Sequence, residues 1–145
     1  MIEPIVFDTS VYIKELRKGN AKILSQTNIF RKDVFSPLWL SSVVLEELYA
    51  GASDKKSVKT LAKFEKAFTN IGRILVPNQS DWSIAGQILN KIGKKYGFEK
   101  IGKARLSNDT VLAMSVARNG HTLLTANQKD FELISEFREF KWELV

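Results

Sequence analysis

Short apolar runs alternate with longer amphipathic stretches along the 145 residues of the chain. The short runs are rich in β-branched and aromatic residues, which predicts buried strands at residues 4–7, 33–37, 73–76, 121–125 and 140–144. In the longer stretches, apolar residues recur three and four positions apart, as they do on one face of a helix. Strands that alternate with helices predict an α/β fold, with a mainly parallel sheet covered on both faces, in a single domain over residues 1–145.

Several predicted helices begin at serine or aspartate, whose side chains cap the free backbone N–H groups of a first turn. Helices are expected at residues 8–19, 21–30, 41–51, 53–72, 108–119 and 128–137. A further helix is capped by Ser80, and its predicted buried stripe is Trp82, Ala85, Leu89 and Ile92. Residues 91–105, the basic segment, are predicted to form the end of that helix and an exposed loop. Residues 108–119 are apolar on nearly every face, which predicts a central buried helix.

Four acidic residues stand beside apolar sequence, each in a different predicted element. Asp8 directly follows the first strand, Asp109 lies in the first turn of the buried helix, and Asp130 follows the strand at 121–125. Glu47 shares a helical face with apolar residues, whereas Glu46 lies on another face. Because ligands of parallel sheets bind at the carboxyl ends of the strands, these acids are expected to face a cleft at that edge.

Carboxylate oxygens are hard ligands that suit Mg²⁺ or Mn²⁺. Clustered carboxylates repel one another, and a divalent ion removes that penalty. The ion also lowers the pKa of bound water and neutralises charge on a phosphate, so hydrolysis needs no protein nucleophile. A chain without cysteine and with one histidine fits that chemistry.

Each acid except one also has a plain structural interpretation. Asp8, Asp109 and Asp130 could serve as helix caps or as first-turn acids favoured by the helix dipole. The spacing of Asn127 and Asp130 imitates a capping box. Glu47 has no capping role in the middle of a helix, and His121 is interpreted as a structural histidine.

Composition narrows the class of protein without defining its activity. The chain is 44% hydrophobic and 26% charged, which is ordinary for a soluble globular protein. Without cysteine, disulfides and thiolate metal sites are excluded, and a cytoplasmic location is compatible. The first residues are too short and too acidic for a signal peptide, and no apolar run approaches the roughly 20 residues of a membrane span. A formal net charge of +6 favours a polyanionic partner such as nucleic acid.

Four motifs, in order along nearly the whole chain, resemble those of the PIN domain family. They are the opening strand with Asp8-Thr9-Ser10, the Glu-Leu-x-x-Gly ending of residues 41–51, Asn108-Asp109 at a helix start, and Leu124-Thr125-x-Asn127-x-x-Asp130-Phe131. Within that family the chain looks most like the VapC-type toxins of toxin–antitoxin pairs. The segment 94–107 departs from the family, because it is longer and more basic than the glycine turn usual before the third acid.

The resemblance implies a PIN-like three-layer α/β/α fold and Mg²⁺- or Mn²⁺-dependent endoribonuclease activity on RNA. It also implies a homodimer and inhibition by a cognate antitoxin. The family's metal-binding and catalytic acids fall on Asp8, Glu47, Asp109 and Asp130, and its supporting polar residues fall on Thr9 or Ser10, Thr125 and Asn127. Lysines and arginines outside these motifs are candidate RNA contacts, namely Lys14, Arg17, Lys18, Lys94, Lys95, Lys103 and Arg105.

Three other functions remain open from the sequence. A PIN-fold nuclease of RNA processing would use the same acids, and only a neighbouring antitoxin gene or growth arrest on expression would separate it from a toxin. A non-catalytic binding module with the same fold would not need all four acids. Phosphoryl transfer on small molecules is disfavoured, since the chain has no glycine-rich phosphate loop.

Overall fold

A five-stranded parallel sheet lies at the centre of this computed structural model, in the order β3-β2-β1-β4-β5 within the described residues, 3–24 and 37–145. The strands are β1 (Ile5–Phe7), β2 (Leu38–Ser41), β3 (Ile74–Leu75), β4 (Thr122–Thr125) and β5 (Trp142–Leu144). Every strand pair is parallel, and β1 pairs with both β2 and β4. The predicted mainly parallel sheet is therefore confirmed.

Helices connect the strands and cover the sheet in a three-layer α/β/α arrangement, which confirms the expected fold class. They are α1 (Thr9–Arg17), α2 (Ser42–Ala50), α3 (Lys55–Asn70), α4 (Gln79–Tyr96), α5 (Ala104–Asn119) and α6 (Gln128–Ser135). Two short 3-10 turns cover Ala21–Leu24 and Phe98–Lys100. Consecutive parallel strands need such crossover connections. Because all five strands run in the same direction, their carboxyl ends lie at one edge of the sheet.

The core lies on both sides of the central strands β1 and β4. Helix α5 is its main component, since every residue from Asp109 to Val116 is buried, as the sequence predicts. On the other side, Tyr12 packs edge-on against Phe64 with ring centroids 5.6 Å apart, and Phe64 packs against Phe68 at 5.0 Å. Such edge-to-face pairs add to the free energy gained from burial. The two central strands are thus held firmly where their carboxyl ends meet.

Two sequence predictions need correction in position. The second strand is Leu38–Ser41, and pairing with β1 begins where the Ile5 N–H donates to the Pro37 carbonyl at 3.0 Å. Of the predicted strand 33–37, residues 33–36 lie outside the described residues, as do residues 25–30 of the predicted helix 21–30. The described start of that helix is the 3-10 turn Ala21–Leu24.

Helix α4 differs from its prediction in both its cap and its buried face. Asn78, rather than Ser80, is the N-cap, and it forms a reciprocal capping box with Asp81. Trp82 was expected in the core but is 56% exposed. Ala85 and Ile92 are buried as predicted, whereas Asp81 and Ile88 are buried in place of Trp82 and Leu89. The ion pair with Arg118 makes the burial of the Asp81 carboxylate tolerable.

Candidate active site

Asp8 stands at the carboxyl end of the central strand β1, where its backbone N–H donates to the Leu124 carbonyl of β4 at 2.9 Å. The side chain is only 2% exposed. Its Oδ2 accepts hydrogen bonds from Ser10 Oγ at 2.6 Å and from Thr125 Oγ1 at 2.8 Å. Although Asp8 occupies the N-cap position of α1, its side chain makes no capping hydrogen bond. The capping interpretation of Asp8 therefore has no hydrogen bond to support it.

Ser10 and Thr125 join the ends of β1 and β4 through a small hydroxyl network. Their hydroxyl oxygens are 3.2 Å apart, and the Ala126 N–H donates to Ser10 Oγ at 3.0 Å. The Asn127 N–H donates to Thr125 Oγ1 at 2.9 Å. These contacts fix the orientation of the Asp8 carboxyl group and hold the loop after β4 against it.

Glu47 reaches the same region from helix α2. Its Oε1 accepts a hydrogen bond from Thr9 Oγ1 at 2.7 Å, which ties α2 to the first residue of α1. Glu47 is half-buried whereas Glu46 is exposed, in agreement with their predicted helical faces. No capping hydrogen bond or cation is recorded for Glu47 within the described residues, so the hydroxyl of Thr9 is its recorded partner.

Asp109 and Asp130 meet through the side-chain amide of Asn127. The Asn127 Nδ2 donates to Asp109 Oδ2 at 3.3 Å and to Asp130 Oδ2 at 3.1 Å. Helix α5 begins at Ala104, so Asp109 lies in the second turn rather than in the expected first turn. It therefore cannot cap α5. Asn127 is the N-cap residue of α6, but its side chain makes no capping hydrogen bond, so the apparent capping box is not formed.

The four acids share one electrostatic environment. Burial of Asp109, which is 3% exposed, is the largest cause that raises its pKa to about 9, and the charge of Asp8 is the next. Hydrogen bonding to Asp130, together with the charges of Asp130 and Glu47, raises the pKa of Asp109 further. A carboxyl group that stays protonated near neutral pH among other carboxylates marks a strongly negative, partly dry site.

The donor chemistry of this site fits a hard divalent cation. Carboxylate oxygens from four elements surround it, and an added positive charge would relieve their mutual repulsion. Within residues 3–24 and 37–145, however, no three acidic or histidine side chains already stand as ligands around a common point. The Asn127 amide instead lies between Asp109 and Asp130. Asp8, Glu47, Asp109 and Asp130 are thus the residues that could hold an ion, and some of their side chains would have to move to do so.

The predicted RNA-contacting residues are all exposed and form two groups. Lys14, Arg17 and Lys18 lie on or next to α1, where Lys14 Nζ donates to the Val145 carbonyl at 3.4 Å. The second group is in the basic segment, and one of its members, Lys95, already pairs with Glu136 at 3.4 Å. Arg105 lies one helical turn before Asp109 on α5. No direct contact between these cations and the four acids is recorded among the described residues.

His121 lies at the opposite end of β4 from Thr125, and thus away from the acids. It is buried, its ring centroid is 5.0 Å from that of Trp39, and burial lowers the pKa of its imidazole. This agrees with a structural histidine, but not with one whose hydrogen bonds are all satisfied, because its Nδ1 has no hydrogen-bond partner among the described residues.

What the sequence did not predict is the mutual arrangement of the supporting residues. Ser10 and Thr125 both donate to one oxygen of Asp8, and Asn127 bridges two acids. The only local signal was the spacing of Asn127 and Asp130, which also fits a capping box. The Ala126 N–H carries no sequence signal, because every residue but proline has one.

Comparison with known proteins now identifies the class. A family model for the PIN domain matches residues 5–136, so the chain belongs to the PIN domain family. No curated protein sequence gives a significant match. No helix in the described ranges is long and apolar enough to cross a membrane.

Solved structures of toxin–antitoxin proteins share this fold. The DNA-bound VapBC from Salmonella typhimurium has a TM-score of 0.66 and 21% identity, over 99% of this chain and 98% of the other. VapBC2 from Rickettsia felis, bound to a promoter DNA fragment, gives 0.61 and 19%, over 98% of both chains. VapBC-1 from nontypeable Haemophilus influenzae gives 0.61 and 21%, over 97% and 96%. At these identities the likeness concerns the fold.

Proposed function

We propose that this PIN domain protein is a Mg²⁺- or Mn²⁺-dependent endoribonuclease and a VapC-type toxin. One observation carries the proposal: Asn127 joins Asp109 to Asp130, and the charges of Asp8 and Glu47 also raise the pKa of the buried Asp109 carboxyl group. Such an arrangement destabilises a fold unless it serves a cation or a reaction. Membership of the PIN domain family supports a nuclease.

The chain's own residues would divide the work as follows. Asp8, Glu47 and Asp109 would hold the cation, and Asp130 would adjust it through Asn127. Ser10 and Thr125 fix the rotamer of Asp8, and Thr9 fixes that of Glu47, so these ligands are preorganised. When bound, the cation would neutralise charge on the phosphate and lower the pKa of water. Hydrolysis adds water across a P–O bond and leaves one RNA fragment with a phosphate and the other with a hydroxyl.

We further infer that the protein binds a cognate antitoxin, forms a homodimer and does not bind a membrane. The likeness to VapBC proteins of three bacteria supports the antitoxin, and the homodimer is what the family resemblance implies. Because those identities are near 20%, the partner of this chain needs its own test. Expression of the chain alone should arrest growth, and expression together with the protein encoded by an adjacent small gene should restore it. Normal growth with the chain alone would favour an RNA-processing nuclease of the same fold.

The activity is tested with a mixed RNA substrate and purified protein in Mg²⁺ or Mn²⁺. Matched reactions contain EDTA or the variant Asp109→Asn. Cleavage that disappears in both controls is the expected result. A folded protein that binds neither metal nor RNA would instead be a binding module of other specificity, and the nuclease proposal would be wrong.

A further inference from the structure

The basic segment holds nearly all of the protein's excess charge. It contains Lys91, Lys94, Lys95, Lys100, Lys103 and Arg105 against the single acid Glu99, a net charge of +5 out of the chain's +6. All six basic side chains are exposed. The segment runs from the last turns of α4 to the first turn of α5, and therefore leads directly to the helix that carries Asp109.

Phe98 is fixed at the centre of this segment by two glycines. A Cβ added to Gly93 would lie 2.5 Å from the ring carbon Cδ1 of Phe98, so the ring rests directly on the backbone of α4. Gly97 reverses the chain with φ of 107°, a conformation that side chains with a Cβ rarely adopt. The ring is nonetheless 53% exposed. Among the phenylalanines that the structure describes, it alone is exposed.

Some cations of the basic segment already contact a partner within the protein, and others do not. Lys95 is occupied by Glu136, and its Nζ lies 5.1 Å from the ring centroid of Tyr96. Lys100 Nζ lies 5.4 Å from the same ring. Lys94, Lys103 and Arg105 have no recorded ion pair in the described residues. Arg105 lies one turn before Asp109 on the same side of α5.

A groove of about 570 Å³ lies between this segment and helix α6. Tyr96 and Lys100 line it on the side of the basic segment, and the lining on the side of α6 is Gln128, Lys129, Glu132, Leu133 and Glu136. Lys129 is the immediate neighbour of Asp130 in the first turn of α6. The groove therefore lies between the basic segment and the turn of α6 that contains Asp130, although Phe98 and Asp130 do not themselves line it.

We propose that the basic segment is a binding platform for single-stranded RNA, in which an unpaired base stacks on the ring of Phe98 and phosphates contact Lys94, Lys103 and Arg105. An exposed aromatic ring among cations is the combination that binds single strands without requiring sequence readout. Phe98 could instead serve only as a hydrophobic contact at the end of α4. That role would explain the ring, but it would not explain the positive charges around it. This inference rests on the proposed ribonuclease function, because the platform delivers the strand to the acids.

Binding is measured separately from cleavage, by fluorescence anisotropy in EDTA with a labelled 12-nucleotide oligouridine and a labelled RNA duplex of the same length. Phe98→Leu should weaken oligouridine binding by about tenfold, and Phe98→Trp should preserve it, since a base-stacking contact contributes about that factor or more. Duplex binding should change little in either variant. Trp82→Leu is the matched control, because Trp82 is similarly exposed but lies at the other end of α4.

The cations are tested through the salt dependence of oligouridine affinity. The double variant Lys103→Ala/Arg105→Ala should reduce the steepness of log affinity against log salt by about 1.4. Each phosphate contact on a single strand contributes about 0.7 to that slope, and the variant loses two such contacts. The charge-matched control Lys59→Ala/Lys63→Ala, on exposed positions of α3, should leave the slope unchanged.

Equal oligouridine affinity for wild type and Phe98→Leu would overturn the platform, and Phe98 would then be a packing residue or a protein contact. If Phe98→Leu does not fold, loss of binding in Phe98→Trp or an unchanged salt slope in the double variant overturns it. RNA binding that depends on Phe98 without any metal-dependent cleavage would support the platform and reject the nuclease. Cleavage that needs the acids but does not depend on Phe98 would support the nuclease and reject the platform.

Discussion

Two buried aspartates, Asp81 on α4 and Asp109 on α5, have opposite electrostatic surroundings. Asp81 of α4 is 1% exposed, and its carboxylate accepts hydrogen bonds from Arg118 of α5, with Nη2 at 2.9 Å and Nε at 3.0 Å. It also accepts the Asn78 N–H at 2.9 Å in the capping box. The hydrogen bond to Asp81 raises the pKa of Arg118. These hydrogen bonds offset the free-energy cost of burying the Asp81 carboxylate.

Asp109, on α5 itself, is equally buried but stands among other acids. Its neighbours are Asp8, Asp130 and Glu47, and the side-chain amide of Asn127 is its neutral donor. Without a cation beside it, the carboxyl group keeps its proton, and its pKa rises to about 9. The comparison teaches that burial of an acid does not by itself indicate function. A buried acid whose neighbours repel it does, because the fold alone gives no reason to retain it.

The largest expected effect is on cleavage. Asp8→Asn should reduce RNA cleavage on the order of a hundredfold or more, since it removes a charged ligand while keeping the shape of the side chain. Initial rates with Mn²⁺ and circular dichroism of the folded protein provide the measurement. Asp54→Asn is the matched control, because Asp54 is exposed and only caps α3, a role asparagine also fills. Wild-type cleavage by Asp8→Asn would remove Asp8 from the site.

Breaking the paired aspartate should lower stability. Asp81→Asn should reduce the free energy of unfolding by about 1–2 kcal/mol, less than for a fully enclosed pair because the Arg118 side chain is 37% exposed. Urea denaturation in EDTA measures this loss. In the double variant Asp81→Asn/Arg118→Met, the loss should be smaller than the sum of the two single losses. Additive losses would mean that the ion pair contributes nothing.

The unpaired aspartate should respond with the opposite sign. In the same urea experiment, Asp109→Asn should raise the free energy of unfolding by about 0.5–2 kcal/mol, because it removes an acid that the fold must keep protonated. Saturating Mn²⁺ should stabilise the wild type and not this variant, as expected for a ligand that binds only the native site. Destabilisation by Asp109→Asn in EDTA would place Asp109 in the same class as Asp81.

The pH dependence sharpens this contrast. The pKa of Asp109 is about 9 in the folded protein against an ordinary value of 3.8, so the folded state holds more protons between these values. The stability that this proton contributes is therefore full below about pH 3.8 and is lost steadily as pH rises from there to about 9, by at most about 1.4 kcal/mol per pH unit for one proton. The stability difference between Asp109→Asn and wild type should grow from pH 5 to pH 8. A constant difference would show that the Asp109 carboxyl group is already ionised in the folded protein.

Most of the fold could be predicted because its signals are local. The strand β1 and the buried helix α5 follow from short patterns of apolar residues, and both are present with shifted ends. Errors arose where a tertiary partner changed the preference. Arg118 pairs with Asp81 and makes its burial tolerable, and Asp81 rather than Trp82 is the buried residue in the first turn of α4. No local pattern contains that information, since the two charged residues are 37 positions apart.

The four acids and their polar neighbours were likewise visible in the sequence, but their environment was not. Residue type and order determined that carboxyl groups follow β1 and β4 and lie on α2 and α5. Only the tertiary structure decided that hydroxyls of Ser10 and Thr125 meet on Asp8, and that Asn127 bridges Asp109 and Asp130. The physical reason is distance along the chain: periodicity and capping depend on near neighbours, whereas burial and repulsion between charges depend on residues that the fold brings together from more than a hundred positions apart.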